Sequence, residues 1–315
     1  MKNIRKIVLG CSTALLSLSA AAQHGGPGPN PLEGRWDITM LKEGKEVPSW
    51  LEVVHSGTHS LVGYFVSTGG SARPISTVKV EGAKFSFSIP PQWEGGTDDL
   101  KLDGTLEGQA ISGTIIMPDA KQFTFKGVKA PKLDGLKAVT WNKPVALFNG
   151  KDLNGWQTVG TGENQWVAVD GILRSPKSGE NLRTTQTFGD FKLHIEFKYP
   201  KESNSGVYLR GRYEVQVSDN MGGEPTKGDY SAIYGFLPPN AMAAKPAGEW
   251  QTYDITLVGR HVTVVANGKT VISNQEIPGI TGGAIDSKEG EPGPIMIQGD
   301  HGPIEYRNIT IATAK

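Results

Sequence analysis

The chain has 315 residues, with 32 Lys and Arg against 32 Asp and Glu, 41 Gly, 20 Pro and a single Cys. That length accommodates two globular domains, and 37% hydrophobic with 20% charged residues excludes a disordered, collagen-like or coiled-coil chain. A net charge of zero, with no run of Lys or Arg beyond the first six residues, lacks the electrostatic footprint that a nucleic-acid partner requires.

Residues 1–22 place Lys2, Arg5 and Lys6 before an apolar and small-residue stretch that ends at Ala20-Ala21-Ala22. This is the pattern of a secretory signal, with cleavage expected after Ala22 and a periplasmic or extracellular destination. Leu9-Gly10-Cys11 offers a lipoprotein reading, but only Ile7, Val8 and Leu9 precede Gly10 as an apolar core, which favours the cleavable signal. Cleavage removes Cys11, so neither a disulfide nor a cysteine nucleophile is expected in the remainder. No later segment approaches the ~20 consecutive apolar residues of a membrane helix. Residues 23–31, rich in Gly and Pro, read as a flexible leader.

From residue 32 to 130 the pattern is of short alternating strands, at 36–40, 51–54, 61–66, 84–89, 100–106, 111–117 and 122–126. It predicts a small antiparallel β-barrel or sandwich domain with no catalytic constellation. His55 and His59 flank the turn Ser56-Gly57-Thr58 and read as solvated loop residues. Pro131 and Pro144 bracket a linker over 131–143. The second block, 144–315, is again all β, with strands expected at 172–174, 191–199, 206–210, 213–217, 252–258, 261–266, 294–298 and 304–311. A two-sheet sandwich accommodates them. Asn267-Gly268 between two apolar runs predicts a tight hairpin. Residues 237–248 and 279–293 form long loops of the kind that carry function.

Residues two apart in a strand share a face. Phe191, Leu193, Ile195 and Phe197 make one apolar face and leave His194 and Glu196 on the other; Val207 and Leu209 oppose Tyr208 and Arg210. Tyr213, Val215 and Val217 oppose Glu214 and Gln216, and Ile295 and Ile297 oppose Met296 and Gln298. A one-sided sheet facing water explains such alternation without any ligand. The composition argues otherwise: an exposed strand favours Lys, Thr and Ser, whereas His, Tyr, Arg, Glu and Gln are residues that handle sugar hydroxyls and pyranose faces. His301, in the turn Gly299-Asp300-His301-Gly302, is a candidate general acid or base, or a turn cap. His194, Glu196 and His301 are also ligand types for a divalent metal such as Zn or Mn, at a spacing too loose to identify a metal site.

The strings LFNGKDLNGW, DFKLHIEFKYPKESNSGVYLRGRYEVQVSD, AIYGF, GEWQTYDITLVGRHVTVVANG and GPIMIQGDHGPIEYRNI resemble the 3-keto-disaccharide hydrolase family over about residues 144–313. The resemblance implies a concanavalin A-like two-sheet jelly-roll sandwich and activity on glycosides already oxidised at C3, with a carbohydrate as the partner. It does not cover the first domain. Laminarinase-type glucanases share that fold and place their acids on one strand in a pattern such as Glu-x-Asp-x-x-Glu. Here Gln216 replaces the central acid of Glu214-Val-Gln-Val-Ser-Asp219, and Asp219 is five positions from Glu214, so the usual retaining pair is missing.

A 3-keto sugar needs only a base for the acidified C2 proton, a stabiliser for the enolate and an acid for the leaving oxygen. The expected roles are Glu214 as base, Arg210 or a metal as enolate stabiliser and His301 as acid, with Gln216, Gln298 and Tyr208 positioning hydroxyls. Glu196 is interchangeable with Glu214 on this reading, and His194 joins it as a substrate contact. Tyr234, Trp250, Asn204 and Arg307 are open between ligand contact and structural anchor. The competing reading is a carbohydrate-binding protein without turnover, which needs aromatics and amides but no essential Glu.

Overall fold

The structure is a computed structural model and describes residues 28–315, so the signal at residues 1–22 lies outside the described residues. Every regular element among the described residues is a β-strand, and no helix is long and apolar enough to cross a membrane. Strands β1 (Gly34–Lys42), β2 (Lys45–Ser56), β3 (Ser60–Val66), β4 (Arg73–Ile75), β5 (Lys79–Glu81), β6 (Lys84–Ile89), β7 (Leu100–Glu107), β8 (Ala110–Ile116) and β9 (Gln122–Lys129) form the first sheet. Its order is β4-β3-β2-β1-β9-β8-β7-β6-β5, in which paired strands are neighbours in sequence except β1 and β9, the first and last, which pair antiparallel with each other. Alternate residues such as Trp36, Ile38 and Met40 fill its core with Leu51, Phe65 and Phe125. The sheet curls so that Arg73 of β4 reaches the loop after β6, donating to the Pro90 carbonyl at 2.7 Å and to Glu94 at 2.6 Å. His55 falls inside β2 and not in a turn, and its ring pairs with Glu33 at 2.8 Å.

The second block is the expected jelly-roll sandwich. Its strands are β10 (Val145–Ala146), β11 (Trp156–Val159), β12 (Val167–Val169), β13 (Ile172–Ser175), β14 (Asn181–Thr184), β15 (Phe191–Lys198), β16 (Asn204–Leu209), β17 (Tyr213–Ser218), β18 (Gln251–Val258), β19 (His261–Ala266), β20 (Lys269–Glu276), β21 (Met296–Ile297) and β22 (Ile304–Thr313). One sheet runs β12-β13-β22-β15-β18-β19-β20, with β10 on β22; the other runs β11-β14-β21-β16-β17. Between them lie Leu193, Ile195, Phe197, Tyr253 and Ile255 from the first, and Leu182, Val207, Val215, Val217 and Ile297 from the second.

The two blocks are packed together. Trp50 of β2 joins the core of the sandwich, meeting Phe236 edge-on at 5.2 Å between ring centroids. Glycines let the backbones close: a Cβ on Gly235 would run into Ser71 and Ala72, and one on Gly282 would collide with the Gly70 carbonyl. Arg35 of β1 also pairs with Glu276 of β20 at 2.6 Å.

Candidate active site

The outer face of the five-stranded sheet, turned away from the sandwich core, carries a polar cluster. In the β16–β17 ladder Tyr208 stands opposite Glu214 and Gly206 opposite Gln216. β21 pairs on the other side of β16, with Met296 opposite Tyr208, and Gln298 follows it with its backbone N–H donating to the Gly206 carbonyl at 2.9 Å. Three adjacent strands therefore bring Gln298, Tyr208, Glu214 and Gln216 to one surface. The free edge of β17 is covered by residues 231–234, where the Tyr234 N–H donates to the Glu214 carbonyl at 3.0 Å. The turn at 300–301 and the loop around Gly282-Gly283 complete the walls of a pocket of about 500 Å³, and Gly69, Gly70 and Trp93 of the first sheet line it too.

Glu214 lies on the floor of this pocket, 3% exposed, and its carboxyl is pushed up to about 8. Burial is the main cause, reinforced by the Asp300 charge and opposed by the Tyr208 hydrogen bond and by His301. Gly206 makes room for it, because a Cβ there would collide with Glu214 Oε1. Tyr208 Oη lies 3.0 Å from Glu214 Oε2, 2.9 Å from the Gly282 carbonyl and 3.4 Å from Gln298 Nε2. A phenol has one proton for those two acceptors. When Glu214 is protonated it donates to Tyr208, and Tyr208 donates to Gly282; when Glu214 ionises, one acceptor is left without a donor. Gln298 is 8% exposed, and its Oε1 has no hydrogen-bond partner among the described residues.

His301 sits at the pocket mouth with its side chain half exposed, and its Nδ1 meets Asp300 Oδ1 at 2.6 Å. That hydrogen bond raises its pKa above the ordinary imidazole value, against the effect of burial. Glu214 and His301 feel one another's charge across the pocket. The site therefore holds a buried carboxyl with the basicity of a neutral-pH base, a carboxylate-oriented imidazole nearer solvent, and amide and phenol donors between them.

Residues 143–312 match the family described as the 3-keto-alpha-glucoside-1,2-lyase-like domain. The chain belongs to this family. The matched span agrees within a residue at each end with the stretch that its motifs mark out, and it includes every strand that builds the pocket floor. A 3-keto-disaccharide hydrolase of Bacteroides thetaiotaomicron is 25% identical over 185 residues, covering 47% of this chain and 64% of that protein. This chain thus spans just under two thirds of that relative's length. A provisionally assigned glycosyl hydrolase of Parabacteroides distasonis, solved at 2.13 Å, is 34% identical, with 53% of this chain and 82% of that one covered at a TM-score of 0.47. A non-specific endo-β-1,3(4)-glucanase structure aligns at 10% identity over 59% of this chain and 96% of its own, with a TM-score of 0.36.

In this member of the 3-keto-glucoside lyase-like family, three of the residues expected in the site lie elsewhere. Arg210 does not line the pocket. It follows the end of β16 in a turn, with φ of 52°, so strand parity does not apply to it. Its guanidinium is buried instead against Tyr213 Oη at 3.1 Å and the Gly259 carbonyl at 2.7 Å. His194 and Glu196 do share the outer face of β15, but β15 belongs to the eight-stranded sheet, on the opposite side of the sandwich. His194 meets Asp254 at 2.7 Å. Glu196, opposite Arg307 after a register shift in the β15–β22 ladder, accepts from Arg307 at 2.7 Å and from Asn308 at 2.8 Å. Burial raises the Glu196 pKa, but these hydrogen bonds outweigh it and hold the carboxyl below its ordinary value, which suits an ion pair and not a base. Trp250 stacks on the same Arg307, 3.8 Å from the ring centroid, and is a structural anchor of that face. His194 and Glu196 cannot then join His301 around one metal, and no group of three metal-ligand side chains converges among the described residues.

Besides the glycines of its walls, four further residues bring side chains to the pocket. Asn204 and Tyr234 are among those the sequence leaves open, and Asp300 is visible only as part of a turn. Trp93 escapes a sequence reading of strands because it lies in the loop Pro90-Pro91-Gln92-Trp93-Glu94-Gly95-Gly96. A Trp with no apolar neighbours in a Gly- and Pro-rich loop is the signal that would have found it.

Proposed function

We propose that the protein cleaves 3-keto-glycosides by elimination followed by hydration. The observation that carries this reading is Glu214: a buried carboxyl of raised pKa on the floor of a sugar-sized pocket, with His301 at its mouth. Ionised Glu214 takes the C2 proton, which the C3 carbonyl has acidified, and the C2–H electrons pass into a C2–C3 enolate. The enolate re-forms the C3 carbonyl, its electrons make the C1–C2 double bond, and the C1–O bond breaks. The leaving oxygen takes a proton from His301. Water then adds across C1–C2, hydroxyl to C1 and proton to C2, for net hydrolysis. Depth supports this division of labour: the base lies at the floor where the pyranose enters, and the acid lies at the mouth where the leaving group must exit. Amide donors along the pocket, from Gln298 and Asn204, take over the enolate stabilisation expected of Arg210. The unpartnered Gln298 Oε1 suits a sugar hydroxyl as donor. The signal at residues 1–22 supports export of the protein to the periplasm or beyond.

The test is turnover of a 3-keto-glucoside and its unoxidised parent in D2O, with products read by NMR. Cleavage of the keto substrate alone, with deuterium at C2 of the released 3-keto sugar, is the expected result. Cleavage of the parent without C2 exchange overturns the elimination, and calorimetric binding of both without products points to a carbohydrate-binding protein instead.

A second check follows from Gly206. Its φ is ordinary for an L-residue, so Gly206→Ala strains only the contact with Glu214, whose Cγ and Cδ lie 2.9 and 3.0 Å from the added methyl. Displacing the carboxylate by a fraction of an ångström to an ångström should lower kcat by roughly a hundredfold. The overpacking should cost ~1–3 kcal/mol of stability, measured by denaturant unfolding.

A further inference from the structure

The N-terminal sheet touches the pocket through one side chain whose placement nothing in its own packing explains. Trp93 is 75% exposed, although indole is among the side chains with most to gain from burial. Its loop is nevertheless fixed on both sides. Gln92 exchanges hydrogen bonds with Ser71, Nε2 to Oγ at 2.9 Å and Ser71 N–H to Oε1 at 3.0 Å. Glu94 is held by Arg73 at 2.6 Å and turns back to accept from the Gln92 N–H at 2.9 Å. Arg73 and Glu94 are both nearly buried, so this pair is a stronger restraint than an exposed ion pair. The Trp93 ring packs over Gly70, where a Cβ would lie 2.8 Å from Cδ1. Tyr234, from the sandwich side, lines the same pocket. A well-held loop thus presents a largely exposed indole on the lining of the pocket, toward solvent like the half-exposed His301 and unlike the buried Glu214.

We infer that Trp93 is a specificity residue for the leaving group, stacking on a flat apolar face carried by the C1 substituent. This rests on the proposed reaction, in which the leaving group departs past His301. It assigns the N-terminal sheet a part in substrate selection: the family match begins at residue 143, so Trp93 lies outside it. Two leaving groups share the required face, a second pyranose ring and an aromatic aglycone, whereas a methyl group has none.

The experiment compares kcat/KM of wild type and Trp93→Ala on a 3-keto-disaccharide, a 3-keto aryl glucoside and a methyl 3-keto-glucoside, with Trp93→Phe as the conservative variant. The preference for ring-bearing over methyl substrates should fall by at least about tenfold in Trp93→Ala, the scale of one lost stacked ring, and recover in Trp93→Phe. A fall confined to the disaccharide or to the aryl substrate identifies which of the two the platform serves. An equal effect on all three substrates, or none, overturns the assignment, and melting temperatures show that the variants are folded. If wild type turns over none of them, the proposed reaction fails and calorimetry with the unoxidised disaccharide and methyl glucoside decides the platform separately. A disaccharide affinity about tenfold weaker in Trp93→Ala, with methyl glucoside affected less, sustains it; equal affinities, or no binding by wild type, overturn it.

Discussion

Glu214→Gln should lower kcat on a 3-keto-glucoside by roughly 10²–10⁴, the range that a positioned general base contributes, while leaving the protein more stable than wild type at alkaline pH. The second half separates loss of chemistry from loss of fold. Glu214 has a pKa of about 8 in the folded chain against 4.5 when unperturbed. The folded state therefore binds the proton more tightly than the unfolded one. Stability from this group is complete below pH ~4.5 and falls as pH rises through about 8, by at most ~1.4 kcal/mol per pH unit. Gln carries no such proton, and its amide can donate to Tyr208 as the protonated acid does, leaving the Tyr208–Gly282 hydrogen bond intact. Thermal unfolding at pH 5 and pH 8.5 should show similar melting temperatures at the lower pH and a higher one for the variant at the upper. The same sign governs activity, since the wild-type rate must climb as pH rises through about 8 and Glu214 ionises. Protonated His301 sets the falling limb. Unchanged kcat in Glu214→Gln removes the base from the mechanism, and lost activity with a lower melting temperature at both pH values reduces Glu214 to a structural residue.

Where local rules apply, the sequence reading matches the structure closely. Strand β6 spans the expected residues 84–89, and Asn267-Gly268 turns the β19–β20 hairpin with both residues at positive φ, 49° and 80°. Parity alone places Tyr208, Glu214 and Gln216 on one face, because β16 and β17 are regular where those residues sit, and Gln298, just past the end of β21, joins them in the pocket. It fails where its premise fails. Arg210 stands in a left-handed turn, and His194 and Glu196 lie on a strand of the other sheet, a distinction that alternation along a strand does not contain. Short strands such as β11 and β14 carry too few apolar residues to register, although both belong to the sheet that holds the site. The contribution of the N-terminal sheet is legible only in three dimensions, since Gly70 and Gly282 meet across more than 200 residues of chain.

Asp37→Asn should stabilise the protein at alkaline pH by strengthening the contact between the two blocks. Asp37 on β1 is buried, and its carboxyl faces Glu289 of the 279–293 loop. Glu289 is wholly buried, paired with Arg260 at 2.6 Å, and accepts from Tyr213 Oη at 2.8 Å. Arg212 is already taken by Asp286 at 2.6 Å. Arg260 therefore balances one carboxylate, and a second buried negative charge at Asp37 has no cation of its own. Burial, and then Glu289, push the Asp37 pKa far above the ordinary carboxylate range, while Arg260 and Arg212 pull it back only in part. With the folded pKa raised, this group's stabilisation is complete below its unfolded value near 4 and is lost progressively as pH rises toward the folded one. Asn replaces the protonated acid with a neutral group of the same shape, able to donate to Glu289 without a proton from solvent. Between pH 5 and pH 8 the wild type should lose on the order of 2 kcal/mol or more that the variant retains, seen as a melting-temperature gap that widens by several degrees. Parallel pH-stability curves for the two proteins would show that Asp37 is ionised in the folded chain and that the interface carries no proton.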